Sequence, residues 1–98
     1  MICRIDRVVD GDNLIVLRIS GKLTGEHVAT LRSVLRAEAS PVAIDLKEVS
    51  LVDREAVQLL ALSEHNRTEL RNCPAYIREW VTRARTEMME TNGDIDDA

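Results

Sequence analysis

Residues 42–57 read VAIDLKEVSLVDREAV, and this stretch decides the fold. Its first five residues, 42–46, form a short apolar run bounded by turns. Such a run reads as a strand buried on both faces, and strands of that kind are usually parallel. Residues 47–52 read as a connection. Asp53 then stands where a helix wants an N-cap, because its carboxylate can accept from the free amides of the first turn. Behind it Val57, Leu60 and Ala61 recur at helical spacing, Leu59 and Leu62 widen the stripe, and Asn66 is a suitable stop.

Upstream, residues 2–9 (ICRIDRVV) mix apolar and charged positions as a half-exposed strand does, and 14–19 (LIVLRI) form a β-rich run. The turn formers Asp10-Gly11-Asp12-Asn13 between them predict an antiparallel hairpin. Residues 20–25 (SGKLTG) read as a loop, with Thr24 as the N-cap of a first helix and Glu26 in its first turn, where the helix dipole favours an acid. Val28, Leu31, Val34 and Leu35 give that helix its apolar face, and Ser40-Pro41 ends it. Downstream, 68–73 reads as a short edge strand. Pro74 opens a third helix, whose stripe is Ile77, Trp80, Val81, Ala84 and Met88. The order is β-β-α-β-α-β-α. It predicts an α/β domain with one mixed sheet of about four strands and helices packed on it.

Ninety-eight residues suffice for one domain. Residues 1–89 are expected to form it. Residues 90–98 are expected to be an acidic, disordered tail, because Gly, Asn and Asp there leave little to bury. Five acids and no base follow Arg85, and they more than account for the net charge of −4. That charge argues against a nucleic-acid binder, as does an aromatic content of 2%, too low for base stacking. The core must be aliphatic. Cys3, Cys73, His27 and His65 have no metal-ligand spacing, so neither a metal nor a cofactor is expected. The N-terminus has no apolar h-region, and no apolar run is long enough for a membrane span. These features predict a soluble cytoplasmic protein with no direct membrane insertion.

LIVLRISGKLTGEHVATLRSVL (14–35) followed by VAIDLKEVSLVDREAVQLLA (42–61) resembles the STAS domain, named for sulfate transporters and anti-sigma-factor antagonists. The likeness lies in a strand ending Ser-Gly-x-Leu, an amphipathic helix, a strand ending Asp-Leu, and an apolar-apolar-Asp opening to the next helix. It covers about residues 2–85. The resemblance implies a non-enzymatic regulatory module of bacterial type. Its partner would be a kinase-like anti-sigma factor. The alternative it implies is a stand-alone subunit of an ABC-type transport complex, including lipid transport, with an ATPase as partner. In antagonists of this family the second helix opens Asp-Ser-Ser/Thr-Gly, and the first Ser is phosphorylated. Here the stretch reads Asp53-Arg54-Glu55-Ala56. Arg54 occupies the acceptor position and has no hydroxyl, so this position is not phosphorylatable.

The expected partner-binding patch is Asp53, Arg54, Glu55 and Val57, supported by Lys22, Leu23 and Thr24. For Asp53 and Glu55 a bland role is at hand as well: a cap, and an acid suited to a helix's first turn. Arg54 is the more informative residue. A cation at a helix N-terminus opposes the dipole, and Arg is favoured at interface hot spots. Gly21-Lys22-Leu23-Thr24 lacks the upstream glycine of a phosphate loop. Tyr76 and Trp80 read as core or rim packing. Asp53 and Glu55 diverge around the helix, which makes them poor acid–base partners, so no catalytic residue is expected.

Overall fold

The computed structural model describes the backbone of residues 3–11, 13–38 and 41–97, and the side chains of these up to Glu87. Strands β1 (Cys3–Asp10) and β2 (Leu14–Leu23) form the expected antiparallel hairpin, with Asp10 opposite Leu14 and Ile5 opposite Ile19. Helix α1 (Glu26–Ala37) leads to β3 (Val42–Val52), which runs parallel to β2. Helix α2 (Arg54–His65), β4 (Glu69–Arg71) and α3 (Ala75–Asp97) complete the chain. β4 pairs parallel to β3 at the far edge, so the sheet order is β1-β2-β3-β4. The predicted α/β order and the mixed four-stranded sheet are present.

All three helices lie on one face. Ile15, Leu17 and Ile19 of β2 and Ile44 and Leu46 of β3 point into a single cluster with Val28 and Leu31 of α1, Val57, Leu60 and Ala61 of α2, and Ile77 and Val81 of α3. Alternation along each strand supplies the sheet side, and helical spacing supplies the other. No Phe is needed, because the aliphatic residues close this layer themselves.

Three expectations are corrected. Residues 20–23 are strand and not loop. Ser20 and Gly21 look like punctuation, yet β2 continues through register shifts between Arg18 and Ser20 and between Gly21 and Lys22. Gly21 absorbs the irregularity at φ 89, a conformation that favours glycine. Residues 47–52 are likewise strand, because β3 extends to pair Leu51 with Lys22 and Val52 with Leu23. Its inward residues there are Val49 and Val52, three apart, a spacing that hides the strand period. Leu62 does not join the core stripe: it is 45% exposed. The α3 backbone is helical to Asp97. The side chains of Met88 and of residues 90–98 lie outside the described residues, as do Asp12 of the hairpin turn and Ser40 of the expected helix stop.

Candidate functional site

Asp53 lies between the last residue of β3 and the first turn of α2, with extended backbone (φ −100, ψ −178). Its carboxylate joins two segments far apart in sequence. Oδ1 accepts from the Ala56 amide at 2.8 Å and caps α2, while Oδ2 accepts from the Gly25 amide at 2.9 Å. The Asp53 amide donates to the Leu23 carbonyl at 3.4 Å. Adjacent pairing of Leu23 with Val52 makes this possible. The end of β2, the start of α1 and the start of α2 therefore form one corner, and the two parts of the sequence-predicted patch meet there.

The corner differs from expectation in detail. Thr24 is not the cap of α1. Gly25 holds that position at φ 56, with no side-chain cap bond, and Thr24 contributes only its carbonyl, which accepts from the His27 amide. A side chain at Gly25 would be strained by its positive φ although nothing stands within 4 Å of the Cβ position. Leu23 is fully buried and cannot touch a partner. Its inward turn follows from the β2–β3 pairing continuing past Gly21. Val57 is nearly buried too, and forms the floor of a shallow cleft of about 350 Å³ that Val52, Asp53, Arg54 and Trp80 also line. Lys22, Arg54 and Glu55 are exposed, and none of their side chains has a partner among the described residues.

Beside Arg54 lies a feature that sequence reasoning treated only as packing. Tyr76 and Trp80, one turn apart on α3, meet edge to face with centroids 5.4 Å apart and planes at 85°. Each remains 40% exposed. The Tyr76 hydroxyl donates to the Ser50 carbonyl at 3.1 Å, which fixes the pair against the end of β3, and Leu51 there is 44% exposed. Half-exposed aromatics with one polar tip satisfied are typical anchors of protein contacts. The available signal was that both aromatics of the chain fall four residues apart at the margin of one helical stripe.

Other chemistry finds little footing. Both oxygens of Asp53 are engaged by backbone amides. Burial pushes the Cys3 and Cys73 thiols up, away from the thiolate a nucleophile needs. Cys3 and Cys73 pack against the core instead. Among the described residues no cluster of three His, Cys, Asp or Glu side chains could hold a metal ion, and no helix is long and apolar enough to cross a membrane.

No family model matches the chain, and no curated protein matches it either. Among solved structures, the anti-sigma factor antagonist SpoIIAA in its unphosphorylated form is similar, with a TM-score of 0.62 and 17% identity. The match covers 78% of this chain and 79% of that one. At this identity the likeness concerns the fold. The strand order, the helix layer and this match together show that the chain has a STAS-like α/β fold.

Proposed function

We propose that the chain is a non-enzymatic regulatory module that docks a protein partner through the start of α2, without phosphorylation at the position where antagonists of this fold carry theirs. One observation carries the reading. The Asp53 carboxylate pins the start of α2 to the α1 entrance, and so presents Arg54 and Glu55 outward on a rigid corner beside Trp80 and Tyr76. Rigid presentation lowers the ordering entropy that binding must overcome. The fold shared with an anti-sigma factor antagonist supports a protein partner, which in this reading is of the kinase-like anti-sigma class and is met in the cytoplasm. Contact residues in this reading are Arg54, Glu55, Lys22 and Thr24, with Asp53 as the positioning residue and Val57 as the cleft floor.

The position held by Arg54 is permanently positive, where a phosphoserine would bring about −1.5 to −2 charges. Ser63, further along α2, is not an available substitute. It is buried, and its hydroxyl donates to the Leu59 carbonyl at 2.8 Å. Ser50 is exposed and Thr24 half-buried.

Site-specific photo-crosslinking in cells of the source tests the reading. A crosslinker at position 54 or 76 is expected to capture one protein, and one at Arg18 on the opposite face of the sheet is expected not to. Capture from Arg18 alone overturns the docking surface. Phosphate on Thr24 or Ser50 that changes with partner binding overturns the unphosphorylated mechanism.

A further inference from the structure

A second surface lies on the flank of α2 turned away from α3. There α1 and the end of α2 enclose a groove of about 520 Å³, and none of its lining residues belongs to α3 or to the corner around Asp53. Leu35, Leu59 and the 45%-exposed Leu62 give it an apolar floor. Arg32, Arg36 and Arg67 stand around it, and none of their side chains has an ion-pair or hydrogen-bond partner among the described residues. The one acid of the lining, Glu38, is already committed to Arg7 of β1 at 2.6 Å. Arg36 suits the last turn of α1, where the helix dipole favours a cation. That accounts for neither Arg32 nor Arg67, and it leaves the exposed Leu62 without a role.

The chain itself carries the complementary chemistry. Residues 87–97 read EMMETNGDIDD, with five acids, no base, and the apolar Met88, Met89 and Ile95. An acidic segment with apolar anchors is what a cationic groove with an apolar floor would take. Its own groove is out of reach. α3 packs on the other flank of α2, where Arg78 pairs with Glu64 and Trp80 lines the cleft with Val57, and its backbone stays helical to Asp97. A continuous helix cannot turn back round α2.

We propose that the α1–α2 groove is the docking site for the acidic C-terminal segment of a second copy of this chain. The contact joins two different surfaces, so it closes into a reciprocal pair or grows as an open chain, according to the angle at which α3 delivers the segment. Its charges are exposed at the rim, so added salt weakens it. It leaves the corner around Arg54 free for another protein.

The test measures the mass of the full-length chain by sedimentation over a range of concentrations, for four proteins. These are the wild type, Arg36→Glu/Arg67→Glu, Asp94→Lys/Asp96→Lys/Asp97→Lys, and the two sets combined, with circular dichroism confirming the fold of each. The wild type is expected to self-associate, and either reversal alone to weaken association about tenfold or more through like-charge repulsion. The combined protein, with both signs exchanged, is expected to recover it. A wild type that stays monomeric at every concentration overturns the proposal. So does association that both single sets leave unchanged, or a combined protein no better than either set alone.

Discussion

The Asp53 carboxylate holds the backbone of Gly25: Oδ2 accepts its amide at 2.9 Å, while Oδ1 caps α2 through Ala56 at 2.8 Å. One side chain thereby ties the start of the second helix to the start of the first, across 28 residues of chain. Local capping is a sequence-level property, but the second bond exists only because β2 and β3 lie side by side.

Replacing Asp53 by Ala removes both acceptors and leaves two amides seeking water. A cap is worth about 1 kcal/mol, and a hydrogen bond to a charged group about 1.5–3 kcal/mol when buried. The Gly25 bond is exposed, so the expected loss in urea denaturation is about 1–3 kcal/mol. Asp53→Asn, which keeps one good acceptor, is expected to fall between the wild type and Asp53→Ala. A loss below half a kcal/mol for Asp53→Ala would mean that the clamp does not contribute in solution.

Leu60 is fully buried at the centre of the α2 face. Leu60→Ala is expected to destabilise the fold by about 2–5 kcal/mol in chemical denaturation, through lost burial and the cavity left behind. Leu62→Ala, one helix position pair away and exposed, is expected to change stability by about 0.5 kcal/mol or less. Similar losses for the two would mean that α2 presents a different face.

Glu64 accepts from Arg78 at 2.6 and 2.7 Å and from Arg85 at 3.1 Å. The hydrogen bond from Arg78 foremost, with Arg85 assisting and burial opposing, holds its carboxyl below the ordinary carboxylate range. A depressed folded-state pKa gives stability that is present above the unfolded value of 4.5 and is lost as pH falls through the lower folded value. The denaturation midpoint of the wild type is expected to fall more steeply below pH 4.5 than that of Glu64→Gln. Parallel profiles for the two proteins would remove Glu64 from the acid response.

Arg54→Ala is expected to weaken binding of the crosslinked partner by about 1–3 kcal/mol, and Arg54→Glu by more, through like-charge repulsion against an acidic surface. Neither is expected to unfold the protein. Removing a cation from the first turn of α2 is expected to raise stability by about a few tenths of a kcal/mol. Isothermal titration with circular dichroism as control measures both, and equal affinities for all three proteins would end the role of Arg54.

Periodicity made α1, α2 and α3 legible, because a stripe repeating every three or four residues is a local property of the chain. Turn chemistry made the hairpin legible in the same way, and Asp53 was readable as a cap because capping acts within four residues. The ends of β2 and β3 were not. Ser20 and Gly21 have the composition of a loop, and they become strand only by pairing with Glu48 and Val49 of β3, which a local reading cannot supply.

At the candidate site the sequence by itself determined the residue types: a cap at 53, a cation without a hydroxyl at 54, an acid at 55. The tertiary structure alone decided which of them face out. Leu23 and Val57 went inward because pairing of β2 with β3 and packing of α2 on the sheet consumed their surfaces. Trp80, with Tyr76 against it, came to the rim beside Arg54 because α3 packs on α2 through Ile77 and Val81 instead. Exposure depends on which elements become neighbours, and neighbourhood is set by burying apolar area over the whole chain at once, beyond the reach of any local window.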